Sequence, residues 1–297
     1  MNKGYTYNFA ATLTKPFTNG FSGTLSYSYS DAYSVLDGTS SQNNSQWRGY
    51  HNVGGRNFVR DAQRSTFAGG HRVFGQFSYQ KAYQIAGNFG GKSKLSLNFN
   101  AQTGGFFSYV IGARNFRFTD DGGFDNNELI YVPESQSDIP LVDLEYDGRT
   151  YSPAEQWALL DAFIEDDPGL SKRRGEYSQR NDGREPFEVG MDLRFVQDFY
   201  IKTASGRTNT LQLTVDIFNF TNLLNSDWGR VRFAGSFGNY DILNLANRTD
   251  GTRGTTPEYT INRDLIDGLK PWEDNFDNAG LRSSIWNMQI GVRYIFD

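Results

Sequence analysis

The residues best equipped for chemistry lie between the strand-like stretches, not in them. Asp120-Asp121-Gly122-Gly123-Phe124-Asp125-Asn126-Asn127-Glu128 is rich in oxygen donors, and Asp121, Asp125 and Asn127 have the ligand type a hard cation such as Ca²⁺ takes. The stretch lacks the spacing of a helix–loop–helix calcium loop, so a plain acidic turn is the competing reading. Lys172-Arg173-Arg174 can meet an anionic ligand, or serve as a solvated face paired with Glu165, Asp166 and Asp167. Trp47, Tyr50, Trp228, Tyr240 and Trp272 can stack on a sugar, line a peptide site, or pack as ordinary loop side chains. His51 and His71 are the only histidines. His71, next to Arg72 at the start of a strand pattern, reads as structural. No Ser/His/Asp set can be argued, so no catalytic constellation, and no enzyme, is expected. The chain has no cysteine, which leaves no disulfide framework and no thiolate metal site.

The elements that must position these residues show a period of two. The clearest case is the last stretch, where Trp286, Met288, Ile290, Val292, Tyr294 and Phe296 alternate with Asn287, Gln289, Gly291 and Arg293. That alternation is a strand with one face in an apolar medium and the other wet. Six earlier stretches repeat it: residues 5–17, 21–30, 73–79, 95–102, 189–195 and 211–217. The fourth is expected to continue past Gly104-Gly105 to Tyr109. Charged residues in the strand cores (Arg72, Glu188, Asp192, Arg194, Asp216, Arg293) sit on the polar phase. Runs such as Ser22/Thr24/Ser26/Ser28/Ser30 read as facing a wide, wet interior.

The connections alternate in length: short at 18–20, 84–93 and 203–208, long at 35–66, 112–186 and 222–281. A transmembrane β-barrel requires that alternation, with short turns on one side and long external loops on the other, whereas a Greek-key sandwich does not. The composition fits strands and turns, with 24 Phe, 17 Tyr and 32 Gly against 8 Pro. Mean hydropathy is −0.60. No apolar run is long enough for a transmembrane helix, but a barrel strand shows lipid only every second residue and escapes such a scan. Net charge is −5 with no long basic block, which argues against nucleic acid as a partner. Seven strands is an odd number and leaves two edges, so the expected fold is all-β: an antiparallel up-and-down transmembrane β-barrel segment, open and curved, belonging to a larger barrel. Met1-Asn2-Lys3-Gly4-Tyr5 enters the strand pattern with no export signal before it, which is expected of a fragment.

One segment reads as helix. Ser152 is placed as N-cap, Pro153 at the first helical position and Glu155 to complete a capping box, with Trp157, Leu160, Phe163 and Ile164 on one face and Asp167-Pro168-Gly169 as the stop. This predicts a short amphipathic helix near 153–164 within a long loop.

Beyond these readings, Gln289-x-Gly291-x-x-Tyr294-x-Phe296 resembles the terminal assembly signal of outer-membrane β-barrels. Ala154-Glu155-Gln156-Trp157, Asp167-Pro168, Arg174-Gly175-Glu176-Tyr177, Arg180-Asn181 and Pro186-Phe187 resemble the TonB-dependent outer-membrane receptors, nearest their Oar-like branch with a carboxypeptidase-regulatory-like domain. Gln197-Asp198-Phe199-Tyr200, Asp216-Ile217-Phe218-Asn219-Phe220-Thr221-Asn222-Leu223-Leu224-Asn225 and Gly291-Val292-Arg293-Tyr294-Ile295-Phe296 extend the likeness over residues 5 to the end. The resemblance implies a 22-stranded barrel in the cell outer membrane, of which residues 1–297 are the C-terminal part, without the plug domain and signal peptide. It implies import of a nutrient energised from the inner membrane. The implied partners are outer-membrane lipid, the missing N-terminal barrel and plug, the TonB complex through that plug, and the barrel-assembly machinery. No cofactor is implied. Two other functions stay open: a structural or adhesive outer-membrane barrel without active transport, and a secreted soluble β-sheet protein that binds glycans.

Overall fold

A computed structural model describes residues 3–296 except 56, 57, 60, 113–126, 236, 237, 247–255 and 273–283, and leaves out the side chains of Trp47 and Arg48. In chain order the elements are β1 (Tyr5–Thr18), β2 (Phe21–Ser34), α1 (Asn43–Arg48), β3 (Gln63–Arg64), β4 (Gly70–Ala86), β5 (Phe89–Gln102), β6 (Phe106–Gly112), β7 (Leu144–Tyr146), β8 (Arg149–Tyr151), α2 (Pro153–Asp166), β9 (Gly183–Arg184), β10 (Glu188–Lys202), β11 (Thr208–Phe218), α3 (Phe220–Leu224), β12 (Asn239–Leu245), β13 (Tyr259–Ile261), α4 (Arg263–Ile266) and β14 (Asn287–Phe296). Strand exceeds helix, 51% to 14%, so the chain is mostly β. Among the described residues no helix is long and apolar enough to cross a membrane.

The seven long strands form an antiparallel meander in the order β1-β2-β4-β5-β10-β11-β14, with β3 added at the end of β2. Each long strand follows its neighbour because a short hairpin or a long connection returns the chain beside itself. The β1–β2 hairpin shows the chemistry: Asn19 (φ 52°) and Gly20 (φ 84°) take the paired left-handed conformations of a two-residue turn that matches strand twist. β1 and β14 stand at the ends of the order, and among the described residues no ladder joins them.

Register makes the two faces chemically different. Phe21, Tyr79, Leu95, Phe195, Val215 and Ile290 lie side by side across six strands. One residue along, on the other face, runs Ser22, Ser78, Ser96, Arg194, Asp216 and Gln289. The polar row bonds laterally, with Ser78 Oγ 2.8 Å from Ser96 Oγ and Arg194 3.4 Å from Asp216. The apolar row has no second layer over it among the described residues: Leu13 is 75%, Ile290 66% and Val292 69% exposed. Three charged residues depart from the expected phase. Lys15, Lys81 and Asp31 share the apolar face, and all three lie toward the ends of their strands.

The buried core is elsewhere. Phe107, Tyr109, Ile130, Leu160, Ile164 and Ile242 belong to one cluster made by the second and third long connections. This corrects the reading of residues 112–186 as a connection with no strand pattern, and residues 222–281, read as a long connection, carry strands as well. Together they carry β7, β8, β9, β12, β13 and the helices α2 and α4, and they fold into a body at one end of the meander. These strands are two to seven residues long, too short to carry a period of their own, and apart from the β7–β8 hairpin closed by Asp147-Gly148 they are completed by partners distant in sequence. β6 and β12 pair in parallel, Tyr109 opposite Tyr240, which also departs from an all-antiparallel fold. The expected run of β5 through Gly104-Gly105 is likewise corrected. The chain leaves the sheet after Gln102, where a Cβ on Gly104 would stand 2.3 Å from the Pro186 carbonyl oxygen, and β6 joins the second sheet.

α2 forms where its signals lie, with both arms of the Ser152/Glu155 capping box made, and runs on to Asp166. Its buried positions are Gln156, Leu160 and Ile164, while Trp157 and Phe163 are half-buried. Gln156 substitutes for an apolar residue because its amide is fully used: it donates to the carbonyls of Val142 (2.7 Å) and Tyr151 (2.9 Å) and accepts from Ile261 N–H (3.2 Å).

Candidate binding site in the long-connection body

The structure separates the residues that sequence put forward. Gln289 and Gly291 lie on the polar face of β14, opposite Asp216 and Thr214. Tyr294 and Phe296 lie on its apolar face with rings 6.0 Å apart, and Tyr294 donates to Asn209 Oδ1 at 2.9 Å. Of the aromatic candidates, Trp47 stands in α1 with its side chain outside the described residues. Tyr50 and Tyr240 are interior residues, 8% and 4% exposed, so their rings are packing surfaces rather than open platforms. Trp272 leans on the buried core, edge-on to Phe107 at 6.5 Å, and Trp228 is exposed.

Asp121 and Asp125 lie outside the described residues. Asn127 is buried and donates to the Tyr50 carbonyl at 3.4 Å, and its own carbonyl accepts from Asn52 N–H at 3.0 Å, both linking two connections. Among the described residues no three His, Asp or Glu side chains gather as a metal site. In the basic cluster, Arg173 pairs with Asp182 at 2.5 Å and Arg174 with Asp161 at 2.7 Å and Glu165 at 3.4 Å. Asp166 pairs instead with Lys270 at 2.5 Å, and Asp167 accepts from Gly169 and Leu170 N–H.

The fold brings one triad-like contact together that sequence did not indicate. Ser108 Oγ is 3.4 Å from His51 Nδ1, and His51 Nε2 meets Asn239 Oδ1. Acyl transfer needs an open nucleophile and a carboxylate behind the imidazole. Here Ser108 is fully buried, its hydroxyl accepts from Asn181 N–H at 3.0 Å, and the third group is an amide. The set is a knot joining all three long connections. Its neighbour Arg180 donates to the carbonyls of Ser34, Gln63 and Arg64 and stands 3.6 Å from Asp37.

Two openings combine aromatic and polar linings. On the polar face, a pocket of about 260 Å³ is bounded by Phe74, Asn98, Asn100, Glu188, Asp192 and Arg230. Phe74 is an aromatic on the wet phase, opposite Ser26 and Asn100, and this break in alternation is the signal by which sequence could have found it. In the body, a cleft of about 500 Å³ is lined by Tyr131, Tyr177, Tyr259, Pro140, Glu128 and Asp138. Tyr131 and Tyr177 bridge one another and set their rings 72° apart at 5.5 Å, while Tyr259 N–H is held by the Pro140 carbonyl at 2.9 Å. Burial pushes the Tyr259 phenol up to about 12, so it stays an O–H donor. Tyr177 falls in the Arg174–Tyr177 run of the family resemblance, but nothing in sequence gave any of these tyrosines a binding role, since they come from separate stretches of the chain.

No protein-family model, curated protein or solved structure matches the chain.

Proposed function

We propose that this chain is part of an outer-membrane transporter of the TonB-dependent type, supplying seven strands of barrel wall and a folded external body. The observation that carries the reading is the apolar face of the meander, which crosses all seven strands with no layer of this chain over it among the described residues. In water, such a surface would far exceed the patch a soluble monomer tolerates. Hydrocarbon removes that cost, and strands of 10 to 17 residues are long enough to cross it. Serine, asparagine and paired charges on the opposite face suit a watery bore, and the two unladdered edges suit continuation by further strands. Gathering all long connections at one end gives the external side, and the short turns give the periplasmic side. Import would be energised through a plug domain and the inner-membrane TonB complex.

The lack of cysteine makes the test direct. Single cysteines at Leu95, Val215 and Ile290, and at the neighbours Ser96, Thr214 and Gln289, are labelled with an environment-sensitive dye after refolding into phospholipid vesicles. The expected result is blue-shifted emission, quenched by brominated acyl chains, at the first three sites and not at the others. Emission without this alternation would overturn the membrane reading. A second reading, a surface-contact barrel without energised import, is favoured by the extent of the packed external body; uptake that stops when the inner-membrane proton gradient is collapsed separates the two.

A further inference from the structure

The cleft bounded by Tyr131, Tyr177 and Tyr259 has a lining that selects a ligand class. At about 500 Å³ it lies within the ordinary range of ligand sites, roughly 300–1,000 Å³. Among the described residues no Lys, Arg or His lines it, and two carboxylates, Glu128 and Asp138, do. A phosphate, sulfate or uronate would therefore meet like charge, with no donor cation among those residues. A cationic ligand needs an idle counter-charge, and neither carboxylate is idle. Asp138 Oδ2 accepts from Glu134 N–H at 3.0 Å and Ser135 N–H at 2.9 Å, closing its own turn, and Glu128 is partnered as well.

What remains is aromatic surface with hydroxyl tips. The three rings sit on backbone fixed by cross-strand bonds, so ordering them costs little on binding. The angle between Tyr131 and Tyr177 makes a corner, and a tyrosine offers a ring face to a flat, weakly polar C–H surface and a phenol O–H to a polar one. Tyr177, at 51% exposed, keeps the corner open. We propose that the cleft binds an uncharged oligosaccharide, whose sugar rings stack on Tyr131 and Tyr177 and whose hydroxyls bond the phenols. This assignment does not depend on the membrane reading, since it concerns only the body.

The full chain, refolded in detergent micelles, is titrated calorimetrically with maltohexaose, cellohexaose and xylohexaose, and in parallel with hexagalacturonate and hexalysine. Saturation-transfer NMR identifies the sugar protons in contact. At least one uncharged hexasaccharide is expected to bind, with saturation strongest at ring C–H protons. Tyr177→Ala is expected to weaken binding about tenfold, the loss of one aromatic contact, and Tyr177→Phe to weaken it far less. Circular dichroism of each variant identifies any that has lost its fold, and the ring-preserving Tyr177→Phe keeps the test valid if the alanine variant has. No binding by any uncharged hexasaccharide, binding by hexalysine or hexagalacturonate alone, or affinity untouched by Tyr177→Ala in a folded chain would each overturn the assignment. Dye emission from the strand cysteines is recorded on the same preparations returned to vesicles, so either reading can fail while the other stands.

Discussion

The guanidinium of Arg180 lies 4.6 Å above the ring of Tyr50, and the two come from different long connections. Arg180 is 4% exposed on its side chain, and Asp37 beside it 7%. A charge so placed has to be fully bonded, and Arg180 is, through Ser34, Gln63 and Arg64 carbonyls. The pair shows how connections that are unrelated in sequence are joined: the knot between them is polar.

Removing this knot should loosen the body before the meander. Arg180→Ala leaves Asp37 buried without its partner and is expected to cost about 3–5 kcal/mol. Burial pushes the Asp37 carboxyl up, but hydrogen bonds from Ser34, Ser65 and Thr66 and the charge of Arg180 outweigh it and hold it below its ordinary range. Arg180→Lys keeps charge but not the fork, and should fall between. Urea unfolding followed by near-ultraviolet dichroism, where the body's tyrosines report, measures this. A loss no larger than that of Arg194→Lys on the open polar face would be the contrary result.

His51 gives the body a pH dependence. Burial above all pushes its imidazole down to about 4; the hydrogen bond with Asn239 opposes this and the charge of Arg180 adds to it. The unfolded chain, with histidine near 6.5, therefore binds more protons than the folded one between those values. Neutral His51 is the folded form, so stability is full above pH 6.5, falls as pH drops toward 4, and is lost no further through this group below that. The ceiling is about 3 kcal/mol, reduced by whatever solvent reaches the ring. His51→Gln should flatten the curve over this window, which unfolding midpoints at half-unit pH steps will reveal.

What sequence disclosed and what it concealed divide along one physical line. The meander was legible because each of its strands is long and two-faced, so Phe21-to-Tyr29 or Trp286-to-Phe296 carries its own period. α2 was legible because Ser152, Pro153 and Glu155 act within one turn. Most of the body was not legible because its strands are made by partners far away: Phe107 opposite Gly183, Leu243 opposite Ile261, Tyr109 opposite Tyr240; the β7–β8 hairpin, closed by Asp147-Gly148, is the local exception. Tyr50 and Tyr240 carry no local mark telling a core ring from an exposed one, and only the fold separates them from Trp228. The cleft shares that fate, since Tyr131, Tyr177 and Tyr259 are neighbours in space alone.

The two faces of β11 should answer the same substitution differently. Val215 lies in the apolar row between Phe195 and Ile290, and Thr214 lies on the polar face beside Gly291. In phospholipid vesicles, Val215→Arg should cost about 2–4 kcal/mol, as an arginine does when it faces hydrocarbon at mid-depth, and Thr214→Arg much less. Equilibrium unfolding in vesicles reads both. In detergent-free buffer the asymmetry has no reason to appear, and equal costs in vesicles would count against hydrocarbon contact.

Gly291 owes its place to Thr214. A Cβ on Gly291 would come within 2.6 Å of Thr214 Oγ1, whose hydroxyl meets the Gly291 carbonyl at 3.4 Å. β14 is an edge strand with a single neighbour among the described residues, so this contact is not backed by another strand from the far side. Gly291→Val should therefore displace β14 from β11 instead of compressing the sheet, with a cost of about 1–3 kcal/mol for the overpacking. Adding Thr214→Gly removes the obstructing hydroxyl and should restore most of the loss, giving a favourable coupling in a double-mutant cycle. The readout is hydrogen exchange at the amides of β14 that pair with β11, from Met288 to Phe296. Additive effects of the two changes would mean that glycine serves another purpose at this position.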